Sequence, residues 1–405
     1  MKKNVGVIFG SRSCEREVSI ISALQLMRYA DPEKYEVIPV YIHDDGTWYS
    51  GNALRDLKTY QPFRGEQENC LKVFLDMSSG SGALLHVRQS SGLIRKTTIE
   101  IAARIDVFVI VMHGLNGEDG SLQGMLELAN VPYTSTGIAG SAVGMDKIMM
   151  KQFFRGGGLP VLPGLSFSRK EYHDHEQRVI EKTGRELGYP VFVKPANLGS
   201  SIGVSRADNA AELADSLELA FEYDRRVLVE KGLNKPIELN CSVLGFDQEL
   251  EASPIEMPVS ADDFLNFKEK YLSSGGSKGM ASLHRILPAP IEDTLKEKIQ
   301  DLSKQIFRML DCKGVVRIDY MFDAEQEALY ITEINTIPGS LAFYLWENAG
   351  TSYGSLIDKM IEYAFVAHDE KNAANYAFTS DILKSAVIGS KGSKGSKTGK
   401  LPLGI

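Results

Sequence analysis

The chain has 405 residues, of which 43% are hydrophobic and 24% are charged. This balance is ordinary for a soluble globular protein, and the length is that of two or three domains. The net charge is −8, from 45 Lys and Arg against 53 Asp and Glu, which argues against a nucleic-acid-binding protein, because such proteins usually present a basic face.

The N-terminal part predicts an α/β sheet with helices on its faces. Short apolar runs at residues 5–9, 35–42 and 107–112 are typical of buried parallel strands. Helical spacing follows the first run at 15–29 and the third at 121–129. We interpret the less regular residues 45–100 as an elaborated connection on this domain.

Two further α/β units follow. In the second unit, the pattern predicts a helix at 147–154, a charged helical surface around His173 and His175, and strands at 191–194 and 227–230 with a helix at 209–223 between them. In the third unit, it predicts a strand at 238–244, a loop-rich stretch at 260–282, a helix at 291–310, and strands at 315–322 and 328–333. The Gly/Ser/Lys-rich tail from about residue 373 predicts disorder.

Localisation signals are absent from the sequence pattern. The chain begins without a recognisable signal peptide and has no run of about 18 apolar residues, so we expect neither a leader nor a membrane span. Its four cysteines form no C-x-x-C pair, which is typical of reduced thiols in a cytoplasmic protein.

Several common nucleotide motifs are also absent, namely the P-loop and the G-x-G-x-x-G of dinucleotide-binding proteins. Residues 199–203 match G-x-S-x-G, so a hydrolase nucleophile elbow is an alternative, although that motif needs a strand running into the serine and a helix leaving it. The favoured interpretation is a Gly/Ser loop whose backbone N–H groups bind phosphate, with Lys194 as a point charge nearby.

The strongest local pattern lies at the ends of the last two predicted strands. Asp319, Glu333 and Asn335 supply hard oxygen ligands, and Glu333 and Asn335 share one face of an extended segment. Mg²⁺ prefers such ligands together with substrate phosphates. Arg317 can share the face of Asp319 and neutralise a phosphate or an oxyanion. A surface ion pair between neighbouring strands is the structural alternative.

Seven segments in this order resemble the D-alanine–D-alanine ligases of the ATP-grasp superfamily. They are residues 9–19, 113–124, 145–147, 193–203, 270–272, 317–319 and 333–339, within a resemblance that runs from about residue 4 to about residue 365. Each segment alone is weak, but all seven in register are specific.

The resemblance implies a three-domain ATP-grasp architecture of class α/β, with an N-terminal open parallel-sheet domain and ATP between the second and third domains. We expect the N-terminal domain at 1–134, the central ATP-grasp subdomain at 135–229, the C-terminal catalytic domain at 230–370 and the tail at 371–405. The implied reaction has two steps. The carboxylate of one D-alanine takes the γ-phosphoryl group of ATP, and the amine of a second D-alanine then displaces phosphate from the acyl phosphate.

The same resemblance implies roles for individual residues. On the substrate side, Glu15 holds the ammonium of the first D-alanine, Ser200 bonds to Glu15 and Tyr271, His113 lies near the substrate, and Arg317 with the N–H of Gly339 stabilises the tetrahedral oxyanion. On the nucleotide side, the contacts are Lys147, Lys194, Ser200, Ser201, Glu230, Lys231, Leu233, Glu238 and Lys270. Asp319, Glu333 and Asn335 hold two Mg²⁺ ions, with Mn²⁺ as a possible substitute. For His113, a purely structural role in holding its loop is equally open.

The acceptor side departs from the family pattern. Tyr344, followed by Leu345, stands where the family usually has the serine that binds the carboxylate of the second substrate. A phenol can still donate a hydrogen bond, but it is much larger. The alternative to D-alanine as acceptor is therefore D-serine, a D-hydroxy acid or another amino acid, and Tyr271 favours an amine. A nucleotide-binding protein without ligase activity is the third hypothesis.

The remaining expectations concern cofactors and partners. The family implies ATP and small-molecule substrates, a product used for peptidoglycan synthesis, a cytoplasmic enzyme and a homodimer. We expect no nucleic-acid partner.

Overall fold

The computed structural model describes residues 2–90, 96–259 and 285–375. The predicted loop at 260–282 and the tail beyond residue 375 therefore lie outside the described residues. The described residues up to His368 form one compact unit, and the described residues 369–375 belong to a second. No helix in the described ranges is long and apolar enough to cross a membrane.

The first sheet is mixed, with a parallel centre and an antiparallel wing. Its strands are β1 (Lys3–Gly10), β2 (Tyr35–Ile42), β3 (Trp48–Ser50), β4 (Leu71–Leu75), β5 (Ala83–Gln89), β6 (Thr97–Arg104) and β7 (Val107–Ile110). Their order is β6-β5-β4-β3-β2-β1-β7, and β1 is parallel to both β2 and β7. The three predicted parallel strands are confirmed.

The elaborated connection predicted at 45–100 is more regular than its sequence pattern suggested. This stretch contains β3 to β6, each antiparallel to its neighbour in the same sheet. Its strands are short or edge-like, and β6 alternates between exposed and half-buried residues without a fully buried one. Such strands lack the continuous apolar run that marked the central strands.

Helices accompany this sheet, and one of them also contacts a segment much later in the chain. α1 (Arg16–Tyr29) and α2 (Ser121–Leu128) follow β1 and β7, and two 3₁₀ helices lie at Asn52–Arg55 and Leu57–Thr59. α1 packs against both β1 and a later 3₁₀ helix, Gly339–Ala342. The hydrophobic core under the first sheet accordingly includes Trp346 and Tyr353.

The second sheet is antiparallel. Its strands are β8 (Gly164–Ser168), β9 (Val191–Pro195), β10 (Ser205–Ala207) and β11 (Arg226–Lys231), in the order β10-β9-β11-β8. The neighbouring helices are α3 (Ile138–Met145), α4 (Lys147–Gly156), α5 (Arg169–Glu186) and α6 (Ala210–Tyr223). The Asn209 side chain accepts from the first N–H groups of α6, which explains why that helix begins there.

The third sheet holds the predicted metal ligands. Its strands are β12 (Ile237–Phe246), β13 (Glu249–Ala252), β16 (Lys313–Asp323) and β17 (Ala328–Asn335), in the order β13-β12-β16-β17, and a two-stranded ribbon is formed by β14 (Met257–Pro258) and β15 (Arg285–Ile286). The helices are α7 (Asp293–Met309), α8 (Phe343–Asn348) and α9 (Tyr353–Ala373). A second hydrophobic core, which includes Ile306, Ile318 and Ile331, lies between α7 and this sheet.

Candidate active site

A central cleft collects most of the residues that the sequence analysis selected. Those lining it are Glu15, His113, Lys147, Lys194, Ser200, Ser201, Glu230, Lys231, Leu233, Glu238, Arg317, Asp319, Glu333, Asn335, Gly339 and Tyr344. Leu345 does not line the cleft and is fully buried. Lys270 and Tyr271 lie outside the described residues.

The register between β16 and β17 brings the candidate metal ligands together. It pairs Asp319 with Glu333 and Arg317 with Asn335. Asn335 Nδ2 donates to Asp319 Oδ2 at 3.0 Å. Arg317 donates from Nε and Nη2 to the two oxygens of Asp319, at 2.7 Å each. The two carboxylates, the amide and the guanidinium therefore form one continuous polar surface on the two strands.

The chemistry of this donor set fits Mg²⁺. Within the described ranges, no group of three or more His, Cys, Asp or Glu side chains is placed to hold a metal ion by itself. Mg²⁺ usually takes only one or two carboxylates and completes its octahedron with waters and substrate phosphates. Asp319 and Glu333 supply two carboxylates and Asn335 an amide oxygen. Lys147 Nζ lies 3.2 Å from Glu333 Oε2, so a cationic side chain lies beside them.

The buried carboxylate of Glu230 contacts two lysines, Lys194 and Lys151. Glu230 Oε2 accepts from Lys194 Nζ at 2.6 Å, and Glu230 Oε1 lies 2.7 Å from Lys151 Nζ. Burial opposes the charge of Glu230, but the two ammonium groups outweigh it and lower the pKa of this carboxyl to about 2. Glu230 is thus ionised, and it holds Lys194 at the cleft. The sequence analysis did not select Lys151, although it lies four residues after Lys147 on α4.

Glu15 meets the Gly/Ser loop at the start of α1. The hydroxyl of Ser200 donates to Glu15 Oε1, as the resemblance implied for this pair. Two glycines make room for the carboxylate, since a Cβ on Gly114 or Gly199 would lie 2.4 or 2.7 Å from Glu15 Oε2. A side chain at either glycine would therefore displace the Glu15 carboxylate.

The hydrolase alternative does not survive the geometry of this loop. Ser200 and Ser201 both adopt positive φ, 55° and 57°. Residues up to Gly203 form turns, and β10 follows instead of a helix. The required strand–serine–helix elbow is absent from this described segment, and the prediction of a loop is confirmed.

His113 ties the first sheet to the loop after β17. Its Nδ1 lies 2.8 Å from the carbonyl oxygen of Ile337, and its Nε2 lies 3.0 Å from Ser22 Oγ. Ser22 Oγ also accepts from the N–H of Ser340 at 3.0 Å. Burial lowers the pKa of His113 to about 4, so the ring is neutral at pH 7. These contacts support the structural role of His113 in holding the loop.

Glu118 is a second link between the same segments, and the sequence analysis missed it. It accepts from the backbone N–H of Gly114 at 2.8 Å and from that of Ile337 at 2.9 Å. Burial, and then the charge of Glu15, raise its pKa to about 8. The signal was available, because Glu118 lies inside the segment that resembles the family.

The segment before Tyr344 has an unusual backbone. Ser340, Leu341 and Ala342 all adopt the left-handed conformation, with φ of 49°, 55° and 50°. Each such residue without glycine's freedom costs about 1–2 kcal/mol, so the surrounding contacts must hold this turn. Tyr344 follows, and its hydroxyl donates to Glu256 Oε2 at 3.0 Å.

The apolar lining of the cleft was also missed. Phe192 precedes Lys194 by two residues on β9, and Met321 follows Asp319 by two residues on β16, so each shares the face of a selected residue. Asn240 likewise shares a face with Glu238 on β12. The alternation of faces along these strands could have predicted these lining residues, whereas no local pattern indicated Leu162 or Glu256.

Comparisons with known proteins identify the family of the chain. The family model described as D-ala D-ala ligase N-terminus matches residues 4–136, and that described as D-ala D-ala ligase C-terminus matches residues 153–362. A D-alanine--D-alanine ligase of Thermosipho africanus (strain TCF52B) is 37% identical over 383 residues, which cover 94% of this chain and 98% of the relative. That of Natranaerobius thermophilus is 38% identical over 386 residues, covering 94% of this chain and 100% of the relative.

Solved structures are similar over most of their length. The VanG D-Ala:D-Ser ligase from Enterococcus faecalis has a TM-score of 0.74 at 29% identity, covering 90% of this chain and 100% of that structure. The D-alanine-D-alanine ligase from Coxiella burnetii has a TM-score of 0.74 at 24% identity, covering 96% and 99% respectively, and shows the fold alone. With both family models and these relatives spanning nearly the whole chain, the protein belongs to the D-alanine–D-alanine ligase family.

Proposed function

We propose that this protein joins two D-alanines into D-alanyl-D-alanine, with ATP as the phosphoryl donor and D-alanyl phosphate as the intermediate. The observation that carries the proposal is the pairing of Asp319 with Glu333 and of Arg317 with Asn335, in a chain 37% identical to a D-alanine--D-alanine ligase. The curated relatives favour D-alanine as the acceptor and give no support to D-serine, a hydroxy acid or another amino acid.

On the nucleotide side, Lys147 and Lys194 bind ATP phosphates, and Ser201 lies on the loop above them. Lys231 and Leu233 contact adenine, with Glu230 at the same hinge and Glu238 at the ribose; Lys270 also contacts the nucleotide. The proximity of Lys147 to Glu333, at 3.2 Å, supports a phosphate beside the metal ligands. Asp319, Glu333 and Asn335 hold two Mg²⁺ ions, which when bound neutralise the charge on the transferred phosphoryl group.

On the substrate side, Glu15 binds the ammonium of the first D-alanine, and its contact with Ser200 supports this role. The carboxylate oxygen of that D-alanine attacks the γ-phosphorus, and ADP leaves. The family resemblance implies that Tyr271 helps to keep water from the acyl phosphate. The amine of the second D-alanine then attacks the carbonyl carbon, and phosphate leaves with the former carboxylate oxygen.

The tetrahedral intermediate of the second step carries an oxyanion. Arg317 and the N–H of Gly339 stabilise it, because fixed donors aimed at a developing charge lower the barrier. The bidentate contact with Asp319 supports this role by fixing the guanidinium plane. His113 holds the loop that contains Gly339, and Tyr344 lies on the acceptor side.

The biological setting is part of the same proposal. The dipeptide serves peptidoglycan synthesis, the enzyme acts in the cytoplasm, and two copies form a homodimer. Size-exclusion chromatography with light scattering tests the last point, and a single mass of one chain at all concentrations would contradict it.

The function is tested by phosphate release from Mg·ATP across D- and L-amino acids and D-hydroxy acids, with products identified by mass spectrometry. We expect D-alanyl-D-alanine as the main product. The Glu333→Gln variant should lose at least about 100-fold in turnover, because a metal-holding carboxylate is removed. Glu325→Gln, at an exposed position in the turn between β16 and β17, is the matched control. Near-normal activity of Glu333→Gln would contradict the metal assignment, and ATP binding without phosphate release would favour a nucleotide-binding protein.

A further inference from the structure

Tyr344 is held from two sides by side chains that no family resemblance had marked. Its hydroxyl donates to Glu256 Oε2 at 3.0 Å, and the guanidinium carbon of Arg285 lies 3.8 Å from the centre of its ring. Arg285 Nη1 lies 2.9 Å from Glu256 Oε1. The phenol, the carboxylate and the guanidinium therefore contact one another, and we name them the Tyr344 cluster.

The Tyr344 cluster is fixed relative to the catalytic strands. Asn240 Nδ2 donates to Glu256 Oε2 at 3.1 Å, and the two residues also exchange both backbone hydrogen bonds at 2.9 Å. Asn240 in turn pairs with Asp319 in the register of β12 and β16. Through Asn240, these contacts fix the Tyr344 ring relative to β16, the strand that carries the candidate metal ligand Asp319.

The cluster is buried, which gives its geometry a physical meaning. The side chains of Glu256 and Arg285 are 5% and 10% exposed, and Tyr344 is buried as a whole. A buried ion pair often adds no stability over apolar residues of the same size. Holding an aromatic ring in one orientation is a use for the pair that does not depend on a net gain in stability.

The phenol cannot act on the acceptor as a serine would. A tyrosine hydroxyl has a single hydrogen, and here that hydrogen is donated to Glu256. The earlier expectation that the phenol could still donate to the acceptor does not hold for this arrangement. What Tyr344 presents to the cleft is the volume of its ring, beside Arg317 and Gly339.

We propose that Tyr344 is the steric wall that limits the size of the acceptor side chain, and that Glu256 and Arg285 are positioning residues that hold its ring. This inference rests on the proposed ligase function and deepens it. The wall admits a methyl-sized side chain and excludes longer ones. Tyr344 then determines acceptor specificity by shape, while the donor D-alanine, held at Glu15, is unaffected.

The test is a competition in which D-alanine and D-2-aminobutyrate, one methylene longer, are offered as acceptors to the full-length enzyme. One methylene is worth about 10–200-fold in discrimination at a tight apolar wall. We expect Tyr344→Ser to lose at least about tenfold of the wild-type preference for D-alanine. Tyr344→Phe, which keeps the ring but loses the hydrogen bond to Glu256, should lose less of this preference than Tyr344→Ser does. Equal losses in both variants, or none in Tyr344→Ser, would overturn the steric wall.

The positioning residues are tested by a matched pair. Glu256→Ala should relax the acceptor preference as Tyr344→Ser does, whereas Glu256→Gln, which can still accept from the phenol, should retain most of it. The Michaelis constants for ATP and for the first D-alanine should stay within about threefold in every variant. If Glu256→Ala changes these constants as much as the acceptor constant, its role is structural and the positioning proposal fails.

The experiments distinguish a failure of the proposed ligase function from a failure of the steric wall. If the wild type joins D-alanine only to another amine, the proposed function is wrong, and the same variants measured with that amine and its one-methylene homologue still test the wall. A wild type that forms no dipeptide with any acceptor would overturn both.

Discussion

The buried contact of Glu230 with Lys151 and Lys194 predicts that Glu230→Gln greatly lowers the free energy of unfolding. It also predicts that a second substitution, at Lys151, restores part of this loss. The two Nζ–Oε distances are 2.7 and 2.6 Å, and the side chains of Glu230 and Lys151 are 1% and 4% exposed. Removing one partner of a buried ion pair costs about 3–5 kcal/mol, because the other charge stays buried and unpaired. Native domains have only about 5–15 kcal/mol in total.

We therefore expect Glu230→Gln to lower the melting temperature by roughly 6–10 °C, at about 2 °C per kcal/mol for a chain of this size. Lys151→Met combined with Glu230→Gln should recover more than half of this loss, since the buried ammonium of Lys151 is also removed. Lys194 is 14% exposed and lines the cleft, so its charge can be solvated in the double variant.

The pH dependence has a definite sign. The pKa of Glu230 falls from its ordinary value of 4.5 to about 2 on folding. Its contribution is thus present above about pH 4.5 and is lost as the pH falls toward 2. The difference between wild type and Glu230→Gln should shrink across that interval.

Asp174→Asn is the control, because Asp174 pairs with Lys170 at 2.6 Å on the surface, with exposures of 48% and 84%. An exposed pair of this kind contributes at most about 1 kcal/mol. The reasoning is refuted if Glu230→Gln melts within 2 °C of the wild type, or if the double variant is no more stable than Glu230→Gln alone.

Three further predictions follow from the site. Gly199→Ala should lower kcat/KM for D-alanine at least tenfold, because its Cβ would lie 2.7 Å from a Glu15 oxygen, whereas Gly156→Ala, with nothing within 4 Å, should not; equal kinetics in the two variants would contradict this. The pKa of Glu118 is raised to about 8 on folding, so its favourable contribution to stability is lost as the pH rises from 4.5 to 8. Glu118→Gln should therefore lose less stability than the wild type over this interval, and melting temperatures that change with pH in parallel would count against it. Chelation of divalent cations should abolish phosphate release, and Mg²⁺ or Mn²⁺ should restore it; release that persists in the chelator would be inconsistent with the proposed metal site.

Local sequence pattern predicted the elements that have one strong periodicity. β1, α1 and β2 lie within one or two residues of their predicted positions, because continuous apolar runs and helical spacing are local signals. The polar residues of β16 and β17 were also correctly predicted to lie together, since residues two apart on a strand share a face whatever the rest of the fold.

The features that the sequence did not predict depend on contacts between distant segments. The wing formed by β3 to β6 is built from short antiparallel strands, whose residues are specified by cross-strand neighbours more than by local preference. Glu256 and Arg285 meet Tyr344 from positions 88 and 59 residues away along the chain. No local pattern distinguished Lys151 from an ordinary helix residue, because its partner Glu230 lies on β11, far away along the chain.

The central claim is that a D-alanyl phosphate links ATP cleavage to peptide-bond formation. D-alanine labelled with ¹⁸O in its carboxylate, supplied with unlabelled Mg·ATP, tests it most directly. Our account predicts that each phosphate released with a dipeptide contains one ¹⁸O atom from the donor carboxylate, as measured by mass spectrometry. Unlabelled phosphate, or the label in AMP instead, would contradict it.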